Sequence, residues 1–124
     1  MSRESEFQAR VIVMAKLHGW RVWHVPAPMR HDSRGRGWVP AQEAAGLPDL
    51  ILIHDDPPRL VFMELKRKGG KLTDKQQEFL QAAKNVADAI WCDDEMFRGD
   101  VGVFACWPDD EERIEQMLRT KVVA

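Results

Sequence analysis

The chain has few cysteines and no long hydrophobic run, and both absences narrow the classes of protein to which it can belong. Cys92 and Cys106 are too few for a disulfide framework and do not form the C-x-x-C spacing typical of zinc sites. No apolar run approaches the roughly 20 residues that span a bilayer, and no basic start leads into a signal-like segment. No internal repeat or low-complexity segment is present. We therefore expect an intracellular, cytoplasmic protein without a membrane partner.

The distribution of charge is uneven, although the net charge is only −2. A length of 124 residues suits one domain, 1–124, with a single core. Between positions 59 and 75 there are six basic residues and two acids, whereas acids dominate positions 88–115. A basic middle and an acidic tail fit a protein that meets a polyanion on one face. The alternative is an ordinary solvated charged surface.

Hydrophobic periodicity predicts an α/β domain. The predicted elements are a helix over 4–18, a strand over 20–25, strands over 50–53 and 60–65, a helix over 74–87, a strand over 101–107 and a helix over 111–119. Residues 26–46 form a long, arginine-rich connection, which could include a helical turn at 41–45. Residues 88–100 fit either a continued helix or a short strand with an acidic loop. We expect a small mixed sheet flanked by helices, in the order α-β-β-β-α-β-α.

The first helix carries two acids on different sides. Its apolar stripe is expected to face the core and to be widened by Ile12 and Val13; it consists of Phe7, Val11, Met14 and Ala15. Glu4 lies one turn before Phe7 on the same stripe, whereas Glu6 points elsewhere. An acid at this position can also simply complement the helix dipole.

Two central strands each carry one acid that a buried strand should disfavour. Residues 50–53 and 60–65 are joined by the turn-rich HDDPPR, and so form an antiparallel hairpin in the simplest arrangement. Folding symmetrically about that loop sets Ile53 opposite Leu60 and, by the same register, Asp49 opposite Glu64. Opposed Cβ atoms lie about 5 Å apart, so the two carboxylates would repel unless a cation lies between them. A bulge in the loop would shift this register by one residue.

Lys66 lies two residues after Glu64 and therefore shares its sheet face. A hard divalent ion such as Mg²⁺ suits two carboxylates plus water, and the backbone carbonyl of Leu65 could complete the ligand set. The ammonium group could orient an attacking water beside such an ion. An E-x-K tripeptide alone is common, but its combination with Pro48-Asp49 across a short hairpin is more specific. The pattern indicates metal-dependent phosphodiester hydrolysis.

The same residues resemble the VRR-NUC branch of the PD-(D/E)xK nuclease superfamily. The matching strings are GLPDL at 46–50, ELK at 64–66, T-x-x-Q at 73–76, ESEFQ at 4–8 and VFACWPDD at 103–110. Single-domain members of this kind are similar to phage and bacterial Holliday-junction-like nucleases. The resemblance implies a restriction-endonuclease-like core and a DNA endonuclease selective for branched structures, in the host cytoplasm if phage-encoded. The long 26–46 loop and residues 88–100 depart from the family pattern.

The resemblance also implies a role for each site residue. Asp49 and Glu64 would bind Mg²⁺, with Mn²⁺ as a substitute, and Lys66 would be the catalytic lysine. Gln76 would reach back to the site from the next helix. The helix-one acid would be Glu4, with Glu6 as the alternative. No organic cofactor is expected.

The expected DNA contacts are basic side chains and one aromatic residue. Phosphate contacts are assigned to Arg30, Arg34, Arg36, Arg67, Lys68 and Lys71, and base stacking to Trp38. The other tryptophans (Trp20, Trp23, Trp91 and Trp107) lie at strand-like positions and are expected in the core. The His54-Asp55-Asp56 run is expected to be a solvated loop.

A twofold homodimer would present two sites to a branched substrate. Two other functions remain open at the sequence level. The domain could be a non-catalytic nucleic-acid-binding module, or a protein-interaction domain that uses its acidic C-terminal half.

Overall fold

A computed structural model describes residues 3–25, 29–32, 37–40, 46–90 and 100–119, with the backbone alone for residues 3, 4, 29–32, 37–40, 90 and 100. The elements are α1 (Arg3–Leu17), β1 (Arg21–His24), β2 (Met29–Asp32), β3 (Gly37–Pro40), β4 (Leu50–His54), β5 (Arg59–Leu65), α2 (Asp74–Ile90), β6 (Asp100–Cys106) and α3 (Glu111–Leu118). A 3-10 turn, Pro108–Asp110, leads into α3. No helix within these ranges is long and apolar enough to cross a membrane.

The main sheet has four strands in the order β1-β4-β5-β6. β1 and β5 both pair with β4 in the antiparallel sense, whereas β6 pairs with β5 in parallel. The parallel pair requires a crossover, which α2 provides. Three helices around this mixed sheet confirm the predicted fold class and the order α-β-β-β-α-β-α, and are consistent with a small restriction-endonuclease-like fold.

Two described stretches of the 26–46 segment form strands that its sequence does not predict. β2 and β3 pair with each other as a separate two-stranded antiparallel sheet. Each strand has only four residues, and the surrounding prolines and glycines hide any alternation of apolar and polar side chains. The predicted helical turn at 41–45 lies outside the described residues. So does most of the 88–100 segment, although α2 continues to Ile90.

The central hairpin has the predicted register. Ile53 pairs with Leu60, and Leu50 pairs with Met63. The loop therefore contains no bulge that shifts the pairing. The next position along the two strands is that of Asp49 and Glu64.

The two faces of the sheet are covered to different extents. On the face that we call the core face, β4 and β5 contribute side chains with no exposed surface, which are Leu50, Leu52, Val61, Met63 and Leu65. These pack with buried residues of α1 and α3, namely Phe7, Val11, Ala15, Ile114 and Leu118. The opposite face, which we call the α2 face, is packed against α2 through contacts such as the Phe62–Phe79 ring pair, with centroids 5.7 Å apart.

Three apolar residues are more exposed than their patterns predict. Val13 is 56% exposed, so the buried stripe of α1 is narrower than expected. The apolar spacing of Phe79, Leu80, Ala83, Val86 and Ala87 predicts that α2 buries Val86 as well, but Val86 is 57% exposed. Trp20 is buried as predicted, but Trp23 is 49% exposed and its assignment to the core is wrong. The reason is that β1 is the first strand of the described sheet, and Trp23 projects from the α2 face where no described helix covers it. Trp107 is half-buried, and Trp91 lies outside the described residues.

Candidate active site

Asp49 lies directly before β4 and is held by both neighbouring strands. Its backbone carbonyl accepts a hydrogen bond from Val25 N at 2.7 Å, which continues the β1–β4 ladder. Its Oδ2 atom accepts a hydrogen bond from Leu65 N at 2.8 Å. The carboxylate is therefore fixed against the end of β5, where Glu64 lies. Leu65 thus contributes its N–H group here, and the proposed role of its carbonyl stays a prediction.

Glu64 is the buried acid of the site, with 2% of its surface exposed. Its Oε1 atom lies 3.6 Å from Lys66 Nζ and accepts a hydrogen bond from Gln76 Nε2 at 3.1 Å. Its Oε2 atom is buried, and no hydrogen-bond donor reaches it within the described part of the chain. A buried carboxylate oxygen without a donor is costly, because the lost hydration is not replaced.

The surroundings of Glu64 make its ionised form unfavourable. The pKa of this carboxyl is raised to about 8, chiefly by burial and also by the neighbouring negative charge of Asp49, although the Lys66 ammonium acts in the opposite direction. Protonation or a bound cation would relieve both effects. A hard divalent ion would meet the free Oε2 atom and the Asp49 carboxylate together, so these residues fit a metal ion.

Gln76 is oriented by the start of α2. Its backbone N–H donates to Thr73 Oγ1 at 3.2 Å, and its Oε1 atom accepts a hydrogen bond from Thr73 N at 2.9 Å. This is the capping box expected for a T-x-x-Q sequence. Because the Thr73 N–H can donate only to the amide oxygen, the amide nitrogen must face Glu64. The cap thereby directs a hydrogen-bond donor into the site.

Close packing places the start of α2 beside the carboxylates. Gly46 lies against the backbone carbonyl of Lys75 so closely that a Cβ atom would clash. The link from β5 to α2 turns at Gly69, whose φ of +79° favours glycine. Trp107 Nε1 donates to Gly70 O at 2.7 Å and thereby attaches this turn to the end of β6. Sequence reasoning did not identify these positioning roles, and only the glycine in GLPDL could have indicated the first.

The two candidates for the third acid, Glu4 and Glu6, both lie on α1. Glu6 is exposed on α1, in agreement with its predicted direction. Glu4 belongs to α1, but its side chain lies outside the described residues. No group of three or more metal-ligating side chains occurs among the described residues. The described acidic pair is Asp49 and Glu64.

The predicted DNA contacts divide into described and undescribed residues. Arg67, Lys68 and Lys71 are exposed on the link between β5 and α2, directly after Lys66. Arg30 and Trp38 lie in β2 and β3, but their side chains are outside the description, as are Arg34 and Arg36 entirely.

The His54-Asp55-Asp56 run lies at the turn of the central hairpin, away from the acidic pair. Asp55 and Asp56 are exposed, and Asp55 Oδ2 lies 3.0 Å from Arg21 Nη2 in an exposed ion pair. His54 is half-buried, with Nδ1 3.0 Å from Pro57 O. Asp55 and Asp56 agree with the predicted solvated loop, whereas His54 is the last residue of β4 and is half-buried.

The arrangement can bind a cation and present an ammonium group beside it, with a basic surface leading away. Comparison with curated proteins found no match, and comparison with solved structures found none. The family model described as "VRR-NUC domain" matches residues 7–93, which is more than half of the chain. That span contains Asp49, Glu64, Lys66 and Gln76, the four residues that the structure brings together. The chain therefore belongs to the VRR-NUC family of nucleases.

Proposed function

We propose that the protein is a metal-dependent DNA endonuclease of PD-(D/E)xK type, with Asp49 and Glu64 as metal ligands. The observation that carries this proposal is the buried Glu64 carboxylate, whose Oε2 atom has no donor among the described residues while a second carboxylate lies beside it. A folded protein retains such an unfavourable pair only if it is compensated in the functional state. Mg²⁺, with Mn²⁺ as a substitute, has the hardness and charge to compensate it.

The chain's own residues have distinct roles in this proposal. A bound divalent ion would lower the pKa of a water and neutralise charge on the scissile phosphate. The Lys66 side chain is 13% exposed, and its Nζ atom lies 3.6 Å from Glu64 Oε1. This ammonium group would orient the attacking water or stabilise the extra negative charge of the transition state. Gln76 would hold Glu64 in one rotamer through its amide nitrogen. Glu4 would assist from α1.

The substrate would approach along the exposed basic link. Arg67 and Lys68 directly follow Lys66, Lys71 follows after two glycines, and these side chains would bind phosphates on either side of the cut. We also propose that the enzyme prefers branched DNA and acts as a twofold homodimer with two sites.

The test is cleavage of labelled linear and branched DNA in Mg²⁺ or Mn²⁺. Glu64→Gln and Lys66→Met should each lower the cleavage rate by about 100-fold or more, since each removes a charge that acts in the transition state. Glu112→Gln and Lys16→Met remove an exposed acid and an exposed lysine from α3 and α1. These matched controls should cleave at the wild-type rate.

Two measurements separate the alternatives. Manganese binding by calorimetry should be lost in Glu64→Gln while circular dichroism shows an intact fold. If the wild type binds DNA but cuts none of the substrates, and manganese does not bind, the endonuclease proposal is wrong. The domain would then be a non-catalytic nucleic-acid-binding module.

A further inference from the structure

Trp23 is a large aromatic side chain that the fold leaves half in water. It is 49% exposed on β1, whereas Trp20, three residues earlier, is 4% exposed in the core. Burying a Trp side chain stabilises a fold roughly in proportion to the apolar surface that is removed from water. Because Trp23 is half exposed, the fold gains only part of this stabilisation at position 23.

The strand register places Trp23 on the same sheet face as the two acids. Trp23 pairs with Ile51, and Asp49 lies two residues before Ile51 in the chain. Ile51 in turn pairs with Phe62, two residues before Glu64. Because side chains alternate with a period of two, Trp23, Asp49 and Glu64 all project from the α2 face. Trp23 and Asp49 are diagonal neighbours, a relation with Cα atoms roughly 7–8 Å apart.

No described helix covers the part of this face next to Trp23. α2 packs mainly against β6, at the opposite side of the sheet. Ile51 and Ile53 of β4 are only partly buried on this face, although they lie in the middle of the sheet. The surface therefore continues from the acidic pair across β4 to the indole ring.

The charges of this surface suit a nucleic-acid strand. Arg21 lies on the same face, two residues before Trp23, and is exposed. Its ion pair with Asp55 joins side chains that are 65% and 64% exposed, and ion pairs this exposed contribute little to stability. Arg21 is therefore available to a phosphate at small cost. The only acids among the β1, β4 and β5 side chains of this face are Asp49, at the start of β4, and Glu64.

We propose that Trp23 stacks on an unpaired base of the DNA strand, next to the phosphate that is cut. An exposed indole ring offers a flat apolar surface, which a base can cover and a phosphate cannot. Bases inside a duplex are already stacked on their neighbours, so the site selects DNA with an unpaired or displaced nucleotide beside the cut. This proposal rests on the proposed endonuclease function and specifies its substrate.

The test is equilibrium binding without divalent ions, which does not depend on cleavage. Fluorescence anisotropy would compare a labelled single-stranded oligonucleotide with a fully paired duplex of the same length. Trp23→Ala should weaken single-strand binding about 5-fold or more, since base stacking contributes roughly 1–3 kcal/mol per base. Duplex binding should change less than about 2-fold, and Trp23→Phe should restore most of the single-strand affinity.

A matched control is Leu17→Ala, which truncates a residue that is 77% exposed on α1. This variant should bind both DNAs like the wild type. If Trp23→Ala also binds both like the wild type, or loses affinity for both equally, the stacking proposal is wrong. If single-strand binding depends on Trp23 but no DNA is ever cut, stacking stands and the endonuclease function fails. If the wild type and Trp23→Ala cleave every substrate at the same rate, the endonuclease function stands and the stacking proposal fails.

Discussion

At the scale of single residues, Glu64 combines properties that a purely structural residue would not have. It is 2% exposed, it lies beside a second carboxylate, and one of its oxygens has no donor among the residues that the structure describes. Lys66 and Gln76 both interact with Oε1, the other oxygen. The side chain is thus held at one oxygen and left available at the other. This asymmetry is what a metal ligand requires and what a core residue would avoid.

Replacement of Glu64 by glutamine should stabilise the protein in a pH-dependent way when no divalent ion is present. The pKa of Glu64 is raised in the folded state from 4.5 to about 8. The folded state thus binds this proton more tightly, so the stability that Glu64 contributes is present below about pH 4.5 and is lost as pH rises through about 8. At about pH 9, the free energy of unfolding of Glu64→Gln should exceed that of the wild type by roughly 1 kcal/mol or more.

Urea denaturation in EDTA at about pH 4.5 and about pH 9 would measure this difference. The gain of Glu64→Gln over the wild type should nearly disappear at the lower pH. Glu112→Gln, at an exposed position, should match the wild type at both. An equal difference between Glu64→Gln and wild type at the two pH values would contradict a raised pKa for Glu64.

At the scale of elements, the start of α2 has two roles in the same three hydrogen bonds. The reciprocal Thr73–Gln76 pair satisfies N–H groups at the beginning of the helix. The Gln76 Nε2–Glu64 bond extends that pair into the site. Gly46 allows the helix backbone to approach the strand ends closely enough for this to occur. A local capping motif thereby becomes part of a tertiary site.

Two substitutions should separate capping from the function of the site. Gln76→Glu keeps an oxygen for the Thr73 N–H, so α2 should stay capped, but it replaces the donor to Glu64 by a second negative group. Cleavage should fall about 10-fold or more while the amides at the start of α2 stay protected. Thr73→Val removes the hydroxyl acceptor and should weaken the cap by about 1 kcal/mol. It leaves the Thr73 N–H bond to Gln76 intact, so cleavage should change only a few-fold.

Hydrogen exchange of the amides of residues 74–77, together with cleavage rates, would show whether Gln76→Glu lowers cleavage alone and Thr73→Val lowers protection alone. Thr73→Ser, which keeps the hydroxyl, is the control and should behave like the wild type in both measurements. If protection and cleavage fall in parallel in both variants, Gln76 acts as a helix cap alone.

At the scale of the whole molecule, the two sheet faces divide stability from the candidate chemistry. The core face is sealed by α1 and α3, with Phe7, Val11 and Leu118 fully buried. The α2 face carries only part-buried apolar residues around the acidic pair. A substitution on the core face should therefore have little effect on cleavage by the folded molecules. A substitution on the α2 face should have little effect on stability. Trp20 and Trp23 offer a direct comparison, since they are three residues apart and point to different environments.

Trp20→Phe should destabilise the protein without lowering the activity of the folded molecules. Trp20 Nε1 donates a buried hydrogen bond to Leu118 O at 2.8 Å, joining the start of β1 to the end of α3. Its loss leaves a buried carbonyl without that donor and should lower the free energy of unfolding by about 1–2 kcal/mol. Urea denaturation would measure the change, and cleavage per folded molecule should be unaltered.

The matched control is Trp23→Phe, at the exposed position on the opposite face. Its free energy of unfolding should stay within about 0.5 kcal/mol of the wild type. Equal destabilisation by the two substitutions would show that Trp23 is a core residue in solution, and would also weaken the stacking proposal.

Much of the site was predictable because its geometry follows from short-range rules. A symmetric loop sets the hairpin register, so the alignment of Asp49 with Glu64 could be obtained from counting along the chain. A period of two places Lys66 beside Glu64. The T-x-x-Q spacing specifies the capping box at Thr73 and Gln76. Each rule involves residues that are near in sequence or joined by one turn.

The sequence by itself therefore determined the fold class, the central hairpin and the convergence of its charges, because periodicity, turn length and capping act locally. Only the tertiary structure decided how much of each apolar face is covered. It left Trp23 and Val86 in water, packed Gly46 against α2 and joined Trp107 to the turn at Gly70. These contacts depend on how helices and strands distant in sequence pack over the sheet. No local pattern specifies that packing, and it is what opens the surface beside the acidic pair.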